Sequence, residues 1–223
     1  MKALVFDLDG TLVDTKYDML DAGNLVFENQ GWATRLKGFN GLQTAIQGGR
    51  AILRYGLQEE GITFNDKLLT DYYQLYLNNY NKVLDNKSRN YDGVVDTLSK
   101  LKLKGVKLGL CTNKPEKHAR ELLKRLGLID FFIDSFIGSD TVGISKPDPK
   151  PLLEAIHRLG KEPEDVFFVG DTNTDEDAAK NANVDFIFCE YGHGSVYRLA
   201  KGESATIKIE TFKDLINIYK DKP

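Results

Sequence analysis

Cysteine and histidine are scarce in this chain, at two and three residues of 223. Cys111 and Cys189 lie in apolar, strand-like runs and can form at most one bridge. That excludes a disulfide-stapled fold and leads to the expectation of a reducing, cytoplasmic setting. No C-x-x-C or H-x-x-x-H pair occurs, so a thiol or imidazole metal site is excluded and any metal must be held by oxygen. A charge excess is missing as well: 30 basic against 33 acidic side chains leave a net charge of −3. With no basic surplus, nucleic acid is not an expected partner. No apolar run approaches the length of a membrane span, so no membrane partner is expected either. Met1-Lys2 leads straight into a strand pattern without signal-peptide features. What is present is an ordinary folded composition, 41% apolar and 28% charged. The length suits one large domain, or one domain carrying an insert.

Short apolar runs alternate with helical periodicity through most of the chain. Ala3 to Phe6, Val106 to Leu110, Phe131 to Ile137, Val166 to Val169 and Phe186 to Phe188 read as buried strands, since they lack the polar alternation of a half-exposed sheet. Between them, Val94, Leu98 and Leu101, then Ala119, Leu122, Leu123 and Leu126, then Leu152, Leu153, Ile156 and Leu159 recur at helical spacing. The alternation predicts an α/β fold, a Rossmann-like doubly wound parallel sheet. One segment breaks it. Residues 15–89 show only helical periodicity punctuated by glycine, with Leu69, Tyr73, Leu77, Tyr80 and Leu84 in one stripe. The expected organisation is a core of residues 1–14 and 90–223 with an all-helical insert of residues 15–89. Six of the ten tyrosines fall in that insert, and amphipathic helices with the tyrosine hydroxyls toward water account for them.

The densest chemistry follows the first strand, as Asp7-Leu8-Asp9-Gly10-Thr11. The carboxyl ends of parallel strands form the ligand crevice, so both acids fall where a site is expected. An Asp-Gly turn needs one aspartate, whereas this segment has two around an apolar residue. A second acidic group, Gly170-Asp171-Thr172-Asn173-Thr174-Asp175, follows another buried strand. A helix start capped by Thr174 or Asp175 is one explanation of it. An EF-hand is not, because Glu176 and Ala182 stand where its glycine and closing glutamate belong. Acids at two strand ends can converge on one hard cation, and Mg²⁺ suits a few carboxylates plus a substrate phosphate better than Ca²⁺ does. Thr112-Asn113 ends a third strand and offers a hydroxyl, an amide and main-chain N–H groups to an anion, although a helix start before Pro115 explains it equally well. Lys146 precedes the proline-stiffened turn Pro147-Asp148-Pro149.

These four segments, in this order, resemble the four motifs of the haloacid dehalogenase superfamily of phosphotransferases: Asp7 to Thr11, Thr112 with Asn113, Lys146-Pro147, and Gly170-Asp171 with Asp175. The resemblance implies a Mg²⁺-dependent phosphatase acting on a small phosphorylated metabolite. Asp7 would be the nucleophile that becomes an aspartyl-phosphate, and Asp9 the acid and base. The metal would be held by Asp7, the main-chain carbonyl of Asp9 and Asp171, with Asp175 as ligand or support. Thr112, Asn113 and Lys146 would bind phosphoryl oxygens. Dehalogenases of the superfamily lack the second aspartate and need no metal, so Asp9 and Asp171 point to phosphate chemistry.

In this family a helical insert between the first two motifs is a cap that reads the rest of the substrate. Gly48-Gly49-Arg50 resembles the glycine-rich, substrate-facing loop of phosphoglycolate phosphatase-like caps, which makes phosphoglycolate the favoured substrate; a helix-helix turn explains the two glycines as well. Asn90 and Asp92 stand where relatives often have prolines at the returning edge. A sugar phosphomutase of the β-phosphoglucomutase kind is the enzymatic alternative. It carries a cap histidine near the first motif, where this chain has Asp18-Met19-Leu20. The non-enzymatic alternative, a phosphate-binding regulatory module, is disfavoured because each expected catalytic side chain is present. His193, in Tyr191-Gly192-His193-Gly194-Ser195, reads as a flexible turn at the rim; Tyr197 stands where a dinucleotide-binding fingerprint would need its last glycine.

Overall fold

The run Ala3–Phe6 is buried along its whole length and forms strand β1. Its alternate side chains serve two different cores, as the two-residue strand period requires. Ala3 and Val5 join Leu152, Ile156, Phe168 and Ala179 on one face. On the other, the Phe6 ring meets Phe132 and Phe212 at 6.1 and 5.7 Å between centroids. Both faces being covered explains why the run has no polar alternation.

The computed structural model describes residues 2–194 and 207–218. The chain divides into two compact units, one of Met1–Asp14 with Asn90–Pro223, the other of Thr15–Arg89. In the first, six strands form one sheet in the order β5-β4-β1-β6-β7-β8, with every pairing parallel. They are β1, β4 (Leu108–Cys111), β5 (Phe136–Ile137), β6 (Val166–Gly170), β7 (Asp185–Cys189) and β8 (Ile207–Ile209). Two-residue strands β2 (Val13–Asp14) and β3 (Arg89–Asn90) mark where the chain passes from one unit to the other. The chain winds outward from β1 through β4 to β5, then resumes on the other side of β1 with β6, β7 and β8. That reversal makes the carboxyl ends of β1, β4 and β6 a topological switch point. Register places the ends level: Phe6 lies opposite both Leu110 and Val169. Helices α5 (Val94–Leu103), α6 (Glu116–Arg125), α7 (Lys150–Arg158) and α8 (Asn173–Asn181) complete the layers, with the short α9 (Leu215–Ile218) at the end.

The α/β reading from sequence agrees with this sheet, with three differences. The expected strand from Phe131 shrinks to Phe136–Ile137, because Ile129–Phe131 forms a 3₁₀ turn. The second core strand lies at Leu108–Cys111 rather than Val106 to Leu110. Ile207–Ile209 adds an edge strand not anticipated from its three residues.

The second unit is four helices, α1 (Lys16–Asn29), α2 (Gly38–Ala45), α3 (Gly49–Glu59) and α4 (Asp66–Val83). Asn65 caps α4 by accepting the Leu68 N–H at 3.0 Å. Tyr73, Tyr76 and Tyr80 stack in a column along α4, with centroids 5.9 Å apart at each step. The expectation of water-facing tyrosines fails at two of these positions: Tyr76 and Tyr80 are only 3% and 2% exposed. Their rings belong to the buried part of the unit, as do Leu69, Ile52 and Leu57.

Candidate active site

Asp7 is the first residue beyond β1, and its N–H still continues the ladder by donating to the Val169 carbonyl at 2.9 Å. The next strand over, β6, ends at Gly170, so Asp171 emerges beside Asp7. Asp175 lies one helical turn on, in α8. The structure brings these three buried carboxylates together, with one oxygen from each lying within 4.8 Å of the others. Lys146 is seated among them. Its ammonium donates to Asp7 Oδ1 at 2.7 Å, Asp175 Oδ1 at 2.6 Å and the Cys111 carbonyl at 2.9 Å. All three of its N–H donors therefore have partners.

One cation does not neutralise three anions. Burial pushes Asp7 up to about 7, against the opposing pull of Lys146 and with added repulsion from Asp175 and Asp9. Burial also raises Asp171 well above the carboxylate range, and Asp175 and Asp7 add to it. The Gly194 N–H (3.0 Å) and the Thr11 hydroxyl (2.9 Å) bond Asp171 but only partly offset this. For Lys146, burial works against the charge, yet Asp175 and Asp7 win and raise its proton affinity. An all-oxygen donor set with surplus negative charge suits a hard divalent cation. Glycine makes room for the Asp171 carboxylate: Gly10 has φ +91°, and a Cβ there would lie 2.3 Å from Asp171 Oδ2.

Asp9 stands apart from that trio. Both of its oxygens accept from Lys114 Nζ at 2.9 Å. Lys114 was not anticipated from sequence, where the second motif was read as ending at Asn113; a lysine two residues beyond Thr112 was the available signal. Thr112 closes β4 and its Oγ1 accepts the Lys114 N–H at 3.1 Å. The Asn113 amide is engaged with the main chain of Lys146, donating to its carbonyl at 3.0 Å and accepting its N–H at 2.9 Å. That side chain therefore fixes the lysine loop. Helix α8 is capped by Thr172, not by Thr174 or Asp175 as the sequence suggested. Thr172 and Asp175 cap each other reciprocally, which orients Asp175 as the third carboxylate.

The chain matches the family model of the haloacid dehalogenase-like hydrolases over residues 1–183. It belongs to that family. Among curated members, it is 34% identical over 197 residues to the phosphoglycolate phosphatase of Mesorhizobium japonicum, covering 85% of this chain and 83% of that protein. It is also 34% identical over 225 residues to phosphoglycolate phosphatase 1 of Pseudomonas aeruginosa, covering 96% and 78%. Among solved structures, a predicted phosphoglycolate phosphatase from Haemophilus somnus superposes with a TM-score of 0.82 at 25% identity, covering 99% and 98% of the two chains. This haloacid dehalogenase-like hydrolase is by that kinship an enzyme of the phosphoric monoester hydrolase class.

The hydrolase's helical unit gives the remaining sequence candidates local explanations. Gly48 precedes α3 with φ +95°. Gly49 packs so closely that a Cβ would lie 2.4 Å from the Tyr76 ring. Arg50 is exposed, with its guanidinium 4.6 Å from the Tyr73 ring centroid. Asp18, the first residue of the Asp18-Met19-Leu20 stretch, is fully buried and accepts from the Lys87 and Ser88 N–H groups and the Ser88 hydroxyl. In the core unit, residues 191–194 form a turn, as expected, with Gly194 bonded to Asp171; His193 within it is buried, with Nε2 2.8 Å from Asp14 Oδ1, while Ser195 and Tyr197 lie outside the described residues. No helix among the described residues is long and apolar enough to cross a membrane.

Proposed function

We propose that this hydrolase is a Mg²⁺-dependent cytoplasmic phosphatase of small phosphomonoesters, with 2-phosphoglycolate as its substrate. The observation that carries the reading is the buried trio Asp7, Asp171 and Asp175 with Lys146 at the ends of adjacent parallel strands. The names of its curated relatives favour phosphoglycolate.

In this reading the residues divide the work as follows. Asp7, pinned through Oδ1 by Lys146, attacks phosphorus with its other oxygen. The bond from phosphorus to the leaving oxygen breaks, and Asp9 gives that oxygen a proton. Asp9 then takes a proton from the water that attacks the aspartyl-phosphate, which releases phosphate and restores the Asp7 carboxylate. Asp7, Asp171 and the main-chain carbonyl of Asp9 would hold Mg²⁺, with Asp175 as a further ligand or a support. When bound there, the cation would supply positive charge that favours the ionised form of Asp7 and reduces its repulsion with an anionic phosphoryl group. Thr112 and Lys146 receive phosphoryl oxygens, and Asn113 contributes main-chain groups while its amide holds the lysine loop. The unit Thr15–Arg89 acts as the cap, with Gly48, Gly49 and Arg50 reading the non-phosphate part of the substrate.

A panel of 2-phosphoglycolate, a hexose 1-phosphate and a nucleoside monophosphate tests the assignment by kcat/KM for phosphate release with Mg²⁺. The expected result is the highest value for 2-phosphoglycolate. A hexose 1-phosphate isomerised faster than it is hydrolysed would replace this reading with a mutase, and no turnover of any member would replace it with a binding module.

A further inference from the structure

We propose that Lys114 is a positioning residue for Asp9, holding the carboxylate in line with the leaving-group oxygen. This rests on the reading of Asp9 as the acid. Four observations converge on it. First, the lysine is buried, its side chain only 5% exposed, an unusual state for a residue that is normally solvated. Second, its ammonium bonds both Asp9 oxygens at equal distance, 2.9 Å, so the contact sets the orientation of the whole carboxylate. Third, the lysine is anchored in its own loop: its N–H donates to Thr112 Oγ1 at 3.1 Å and its carbonyl accepts the Ser139 N–H at 3.1 Å. Fourth, the two buried lysines bond different carboxylates. Lys146 bonds Asp7 and Asp175, while Lys114 bonds Asp9. The carboxylate of Asp9 is thereby drawn out of the cluster of Asp7, Asp171 and Asp175 suited to a cation.

The physical reason for such a device lies in the position of Asp9. Its side chain keeps 21% exposure, so water alone would leave it free to turn between rotamers. Proton transfer to a leaving oxygen is steeply sensitive to placement, and a displacement near 1 Å costs about 100-fold. A cation fixed by its own loop converts a partly solvated carboxylate into an oriented one. Because this role acts through Asp9, its loss should show chiefly where the leaving group needs a proton.

The test is kcat/KM along a series of leaving groups, from p-nitrophenyl phosphate through phenyl phosphate to an alkyl phosphate. This parameter reports the steps up to departure of the leaving group and is blind to hydrolysis of the aspartyl-phosphate. Asp9→Asn sets the benchmark: its defect should grow steeply as the leaving group becomes more basic. Lys114→Met and Lys114→Gln should show the same trend in weaker form, falling about 10- to 100-fold on the alkyl phosphate and far less on p-nitrophenyl phosphate. A loss in both lysine variants that is equal across the series, whether slight or complete, overturns the proposal, provided Asp9→Asn is steep. A flat series in Asp9→Asn itself instead refutes Asp9 as the acid, a separate failure.

Discussion

Asp7, like Asp171, is costly to bury at this site. Buried next to two other carboxylates, it is pushed up from 3.8 to about 7, first by desolvation. Its folded pKa therefore exceeds its unfolded one, so the folded, metal-free protein binds more protons across that window. Stability from this group is fullest below pH 3.8 and falls as pH rises to about 7, by up to about 4 kcal/mol. Asp7→Asn keeps an oxygen for Lys146 and removes the charge. In chelator, urea unfolding should show the wild-type midpoint falling more steeply than that of Asp7→Asn between pH 5 and 8, with the variant the more stable at pH 8. Parallel midpoints would contradict the origin assigned to this cost. At this scale Asp7, the paired acids and Lys146 were legible, because the acids follow strand ends and the lysine precedes a stiff turn. Lys114 and the amide of Asn113 were not: their partners are 105 and 33 residues away in sequence and meet only through the sheet register.

At the level of elements, the helical unit is tied by one side chain near its start. Asp18, on α1, receives the main-chain N–H of Lys87 and both donors of Ser88, close to where the unit ends. Asp18→Ala would leave buried donors without acceptors, at a cost on the order of 3 kcal/mol or more. The neighbouring contact from Lys87 Nζ to Asp21, at 2.6 Å, is at the surface, and Asp21→Ala should cost less than about 1 kcal/mol. Urea titrations of the two variants check the contrast; equal effects would contradict the tie. Helix α4 was legible from its stripe, but the burial of its tyrosines was not. Helical spacing reports which face turns inward, not how deep the ring and hydroxyl go. The capping of α8 was misplaced for a related reason: Thr172, Thr174 and Asp175 are all good cap residues, and only the reciprocal bonds of Thr172 and Asp175 select the start.

For the whole molecule, strand-helix alternation carried the α/β fold, since strands covered on both faces read as unbroken apolar runs. The edges were less legible: β5 has two residues and β8 three, too few for a pattern of their own. The four motifs lie far apart in the chain and come together because β1, β4 and β6 are neighbours with level ends. The claim that this convergence is a phosphoryl-transfer site is tested most directly by phosphate release from p-nitrophenyl phosphate. Wild type and Asp7→Asn are compared with Mg²⁺ and with excess chelator. The account predicts release only by wild type with Mg²⁺, with a loss of at least about 1,000-fold in the variant. Full activity in Asp7→Asn, or activity unchanged by chelator, would contradict it.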